Sequence, residues 1–318
     1  MEKWQCQQSS KFCETLKNKN PSDLQHWQNE HSKYFTECCE SKNDKDLKDY
    51  DKEVKINTKD IFEKDLENGK SSDLEKRTQW NAYYRMIIPL KSKGNAIIKM
   101  TFEMSKIEKG VTDQDIEKTK QFILSINKTW NNNFTLLVTD TQNQCCTIKL
   151  PIQFDIQFAY KGEKIPNGER NPHKIALYKN IPISPEGIDR PRLERGRTFI
   201  LATDPNPYNK TYTFIHEFGH ALGLPDEYGY DDYIDSILQY RKPDGSLDST
   251  QYSAFHNGKN RPLGDPQESI MGVFNSCRIT ERQGWVIGIA ANKVIDNKRY
   301  QCDIIFNGNN NSCSLWKK

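Results

Sequence analysis

The chain has 318 residues, of which 35% are hydrophobic and 28% charged, with a formal net charge of +3. That is enough apolar material for one large or two ordinary cores beneath a very polar surface. The charge balance is too even to point to nucleic acid or an acidic membrane as partner, and no apolar run approaches the roughly 20 residues needed to span a bilayer.

The N-terminus, MEKWQCQQSSKFCETLKNKN, lacks the apolar stretch of a classical signal peptide. The nine cysteines are Cys6, Cys13, Cys38, Cys39, Cys145, Cys146, Cys277, Cys302 and Cys313, and none forms a C-x-x-C pair. Their density favours disulfides, and with them a secreted or periplasm-like location reached by another route or after trimming of a signal. Buried free thiols are the alternative. A monomer is expected, with at least one cysteine unpaired.

Residues 1–77 read as a helical, polar, cysteine-bearing segment, with Leu24, Trp27, Tyr34, Phe35 and Cys38 at roughly helical spacing. Within it the run KNDKDLKDYDKEVKINTKD is expected to be an exposed helix or a linker. A second unit is expected over 78–318. Ala82–Leu90 and Asn95–Glu103 are strand-like, with Gly94 in the turn between them. An amphipathic helix follows over 112–134, capped by Thr112 with Asp115 three residues on, its apolar face formed by Ile116, Phe122, Ile123, Ile126 and Trp130. Thr135–Thr139, Cys146–Phe158, Ile175–Tyr178 and Arg197–Ala202 are apolar runs expected to be strands, and Pro205 and Pro207 close the last of them. Ile279–Ile295 reads as a C-terminal helix opened by Thr280. The predicted class is α+β, with a mixed twisted sheet.

The chemistry is concentrated in His216-Glu217-Phe218-Gly219-His220-Ala221-Leu222-Gly223-Leu224-Pro225-Asp226-Glu227-Tyr228. Residues four apart on a helix share a face, so the imidazoles of His216 and His220 can converge on one ion. Glu217 points about 100° away, outside the ligand set but within reach of a water at the metal. Gly223 can end the helix, and Pro225 prevents it from resuming. The chain then turns, and Asp226 is placed to return under the metal as a third ligand.

These residues resemble the metzincin zinc metallopeptidases, whose pattern H-E-x-x-H-x-x-G-x-x-[HD] is met here in its Asp form. The likeness is greatest to small secreted bacterial metallopeptidases with G-L-P-D at the helix end, and weaker to metallopeptidase domains attached to type VI secretion spikes. Ser269-Ile270-Met271-Gly272 matches the methionine turn found beneath the metal in that family. The resemblance covers Ile215–Tyr228 and Glu268–Val273 and nothing in residues 1–75. It implies a Zn²⁺ site formed by His216, His220 and Asp226, with Glu217 as general base for hydrolysis of peptide bonds. An extended substrate is expected to pair with the strand near Arg197–Ala202.

Two departures from the pattern matter. Glu268 and Glu281 stand where another class of zinc peptidase takes a glutamate ligand, so either is an alternative to Asp226. No tyrosine closely follows Met271, which leaves Tyr228 or Tyr230 as substitutes for a residue that stabilises the transition state. Three other roles remain open: a delivered effector or toxin with a secretion-machine or immunity partner, a peptidoglycan amidase, and a zinc-binding module without turnover. One cysteine of the N-terminal segment could also occupy the open metal position of a latent form. His26, His31, His173 and His256 lack partner spacing and read as ordinary polar residues. Asp231, Asp232 and Asp235 lack the spacing of a calcium loop.

Overall fold

The computed structural model describes residues 47–66, 80–106, 108–141, 143–166, 169–183, 191–194, 196–203, 211–227, 236–254, 269–272 and 278–308. In chain order the elements are β1 (Asp49–Asn57), β2 (Phe62–Leu66), β3 (Asn81–Pro89), β4 (Ala96–Lys106), α1 (Asp113–Ile123), α2 (Ser125–Trp130), β5 (Phe134–Asp140) and β6 (Asn143–Tyr160). Then come β7 (His173–Tyr178), β8 (Arg192–Glu194), β9 (Thr198–Ala202), α3 (Thr211–Leu222), β10 (Ser236–Arg241), β11 (Leu247–Ala254), α4 (Glu281–Ile295) and β12 (Tyr300–Phe306). The expected α+β class is observed. A nine-stranded mixed sheet runs in the order β12-β5-β6-β4-β7-β9-β8, with β3 joined to β4 and β1 to β3, beside a three-stranded sheet β11-β10-β2.

Strand β4 organises the large sheet. It lies parallel to β6 along its length, takes antiparallel β3 against its first half and parallel β7 against its second. Its interior residues Ile98, Met100, Phe102 and Met104 are buried at every second position, the repeat a strand requires. Strand β5 alternates in the same way through Phe134, Leu136 and Val138. Helix α4 packs against β12 and β5 as well as β1 and β3, and it is buried from Arg282 through Ala291. Helix α3 packs against β3, β8, α2 and α4, which places the motif helix between the sheet and the other helices.

Two expectations are corrected. The charged run after residue 42 is neither helix nor linker over Asp49–Asn57, but strand β1, paired antiparallel with β3 in the main sheet. Tyr50, Val54 and Ile56 face the core, Asp51 and Lys55 lie on the solvated side, and Lys52 is exposed on the same face as Tyr50. Among the described residues β1 pairs with β3 alone, and such edge strands commonly carry charge that discourages pairing with another chain. The helix expected over 112–134 is two helices, with a break at Leu124. Its capping prediction holds: Thr112 Oγ accepts from Asp115 N, and the Asp115 carboxylate accepts from Thr112 N. The second helix stops at Trp130 because Asn132 takes a left-handed φ of 65° and the Asn133 side chain donates to Thr129 O at 2.5 Å.

Cys302 is a buried free thiol. Cys145 and Cys146 lie in β6, their side chains outside the described set, and the remaining six cysteines fall outside the described residues. So do His26, His31, Asp204–Tyr208, Tyr228, Tyr230, Asp231, Asp232, Asp235, His256 and Glu268. No helix among the described residues is long and apolar enough to cross a membrane.

Candidate metal centre

Helix α3 is amphipathic, with its chemistry on the side away from the apolar stripe. Phe214, Ile215, Phe218, Ala221 and Leu222 are buried, spaced as one apolar stripe requires. Phe214 meets Phe102, Phe122 and Phe199, and Phe218 meets Trp130 and Phe154. This aromatic layer fixes the rotation of the helix, so His216 and His220 turn together to the other side, with ring centroids 4.8 Å apart.

The helix ends as its glycine predicts. Gly223 takes φ 105°, its N–H donates to His220 O at 2.9 Å, and Leu224 N–H donates to Gly219 O at 3.0 Å. These two bonds form a Schellman motif, which only a left-handed residue closes without strain. The reversal has two results. It carries Leu224 O to 2.8 Å from His220 Nδ1, and it brings Asp226 back under the helix. Asp226 Oδ1 lies 3.0 Å from His216 Nε2 and 3.3 Å from His220 Nε2. One ligand-capable atom from each of the three residues falls within 4.8 Å of the others.

The turn at Ser269–Gly272 supports the site from below. Gly272 N–H donates to Ser269 O at 2.9 Å, closing the turn, and Ile270 O stands 2.7 Å from His216 Nδ1. Met271 is fully buried against the helix at Gly219, where a Cβ would overlap its Sδ. Gly219 therefore lets the methionine lie directly beneath the turn that joins the two histidines.

The hydrogen bonds fix the tautomers. A carbonyl only accepts, so each Nδ1 that faces one must carry the proton, and each neutral ring presents its Nε2 lone pair to the other side. There, with both rings neutral, the lone pairs meet Asp226 Oδ1, which is buried and has no other polar partner among the described residues. Three acceptors thus converge on one point with no donor among them, which a cation relieves. The electrostatics agree. Burial would lower His220, but the carboxylates of Asp226 and Glu217 outweigh it and push it up to about 9, so a proton takes the place of a cation. Burial would raise Asp226, but His220 and His216 hold it well below the usual carboxylate range.

Glu217 stands outside this group. Its Oε2 accepts from Leu193 N–H at 2.8 Å. Burial raises its carboxyl above the ordinary range and the nearby Asp226 adds to this, while the two imidazoles and the Leu193 amide oppose it. Glu281 lies in the first turn of α4 and lines a polar cavity of about 640 Å³ whose walls contain none of the three converging residues. It is not part of the group.

The strand expected to pair with substrate is also corrected. β9 is bonded on one side to β7 and on the other to β8, so among the described residues the end of the sheet is β8. The Leu193 N–H of β8 points away from β9, toward Glu217.

Five further contributions were not anticipated from the sequence. Leu193, Ile270 and Leu224 act through backbone groups, which leave no side-chain signature. Trp80 donates its indole N–H to His220 O at 3.0 Å. Glu227, next to Asp226, is fully buried in a two-pronged ion pair with Arg282, at 2.8 and 2.6 Å, and also accepts from Tyr240 OH at 2.8 Å. Its N–H donates to Met271 O at 2.9 Å, tying the chain after Asp226 to the methionine turn. The only sequence signal for it was a glutamate directly following a ligand candidate. No family model, curated protein or solved structure matches the chain, so the chemistry of the centre rests on its own geometry.

Proposed function

We propose that the chain is a zinc-dependent peptidase of the metzincin type, with His216, His220 and Asp226 as metal ligands and Glu217 as general base. The observation that carries the reading is the convergence of the three ligand atoms, with a carboxylate from the neighbouring helix position held beside them. Two neutral imidazoles and one carboxylate form the donor set of a zinc site that keeps a coordination position open. A structural site would have no use for a base. When bound, zinc supplies Lewis acidity toward a water and the scissile carbonyl.

The chain's own residues do the rest. Ile270 O and Leu224 O hold the imidazoles in the ligating tautomer, as partners of metal-bound histidines commonly do. Leu193 N–H holds one oxygen of Glu217, so the other is oriented to take the proton of the attacking water and pass it to the leaving amine. Burial raises the Glu217 carboxyl, which makes it a stronger base than an exposed glutamate. The Met271 turn fixes His216 from beneath. An extended peptide would lie along the outer edge of β8, beside Glu217.

The test is paired: zinc per chain and casein cleavage, for the wild type and for Glu217→Ala. One zinc in both proteins is expected, with cleavage lowered on the order of 10² to 10⁴-fold in the variant. Zinc in both with cleavage in neither would favour a binding module. No zinc in either would end the proposal.

A further inference from the structure

Trp80 immediately precedes β3 and reaches the metal centre. Its backbone is held at both polar groups, its N–H donating to Thr58 Oγ at 3.3 Å and its carbonyl accepting from Thr58 N at 3.2 Å. With the backbone anchored, the indole reaches the last turn of α3. There it donates to His220 O, the carbonyl that the Schellman turn also uses, and stands edge-on to the His220 imidazole with centroids 5.7 Å apart. On its other side lies the β8–β9 turn, where Gly196 takes φ 65° and a Cβ would overlap Trp80 Cδ1. One side chain is therefore wedged between the helix that carries His220 and the turn that follows the strand holding Glu217.

We infer that Trp80 is a positioning residue of the centre: the indole sets the spacing between α3 and β8, and so aligns His220 and the Glu217 clamp with each other. The inference rests on the metal-site reading above. An indole that merely filled space would not need a donor aimed at the carbonyl of a ligand residue, nor a glycine opposite it. Residues that orient a metal ligand typically change metal affinity by 10 to 100-fold when removed.

The experiment uses the full chain in three forms: wild type, Trp80→Phe, which keeps a ring against His220 but has no N–H, and Gly196→Ala, which presses the indole from the far side without touching the helix. Zinc affinity is measured by chelator competition. The visible absorption spectrum of the cobalt-loaded protein reports the ligand geometry, and circular dichroism of the metal-free proteins shows that they are folded. The inference expects both variants to fold, to bind zinc roughly 10-fold or more weakly, and to shift the cobalt spectrum. Wild-type affinity and an unchanged spectrum in either folded variant would overturn it. A wild type that takes up neither metal would instead overturn the metal site itself.

Discussion

His220 is subject to opposing demands. As a ligand it must present a bare Nε2, yet without a cation the Asp226 and Glu217 carboxylates push it up to about 9 and keep it protonated at neutral pH. Metal and proton therefore compete for one lone pair. Below pH 9 each bound zinc should displace this proton, so the apparent zinc affinity should rise about tenfold per pH unit between pH 6 and 9 and then flatten. Calorimetry in buffers of different ionisation enthalpy would measure the release, and no proton released at pH 7 would contradict the assignment. Asp226→Asn should weaken zinc binding and abolish most of this pH dependence, because it removes the carboxylate that does most to raise His220.

Helix α3 works as an element because it is held from both ends of its polar face. Gly219 sits over Met271, so Gly219→Ala should destabilise the protein despite the better helix propensity of alanine. Overpacking typically costs about 1–3 kcal/mol against a gain of about 1 kcal/mol. Thermal unfolding would show the loss, and in a Met271→Ala background, where room has been made, the same glycine change should cost less. The exit of the helix is tied to α4 by Glu227 and Arg282. Glu227→Gln leaves a buried guanidinium without its charge partner and should cost about 3–5 kcal/mol in urea unfolding. Replacing both residues by methionine should cost much less than either single change, since no charge is then stranded. A double variant as unstable as the single ones would mean that the pair does more than compensate its own burial. At this scale the α3 helix, its glycine end, the Thr112 cap and α4 were all legible in the sequence, because each is specified within a few residues. The break at Leu124 and the hairpin of β10 and β11 were not.

In the whole molecule, the sheet that carries the centre also buries His173. It is 1% exposed, its Nε2 faces Tyr83 O of β3, and its ring packs against Phe102 and Phe199. Burial, against the opposing Tyr83 carbonyl and with help from Arg197, lowers it from 6.5 to about 4. The unfolded chain therefore binds this proton before the folded one does. Stability due to neutral His173 is complete above pH 6.5 and declines as the pH falls toward 4, by about 1.4 kcal/mol per unit. Glu169, whose carboxyl is raised chiefly by burial, acts in the opposite sense. The difference between wild type and His173→Asn isolates the histidine: between pH 7 and 5 the variant should lose about 2 kcal/mol less. Equal losses in denaturant titrations at the two pH values would refute the assignment.

By itself the sequence determined the α+β class, the helix bearing His216, Glu217 and His220, its end at Gly223, and the candidacy of Asp226. These features are local: a 3.6-residue repeat, a four-residue spacing and a left-handed glycine are all visible along one stretch of chain. Only the tertiary structure brought Asp226, and not Glu281, to the two histidines, with Glu268 outside the described residues, and only it brought in the groups that surround them. Leu193 is 24 residues from Glu217, Ile270 is 54 from His216, and Trp80 is 140 from His220. Two of these three act through backbone atoms that every residue possesses, so nothing in the sequence marks them. Strand β1 escaped notice for a related reason: its alternation of Tyr50, Val54 and Ile56 is set among charges, and it became a strand only because β3 was there to pair with it.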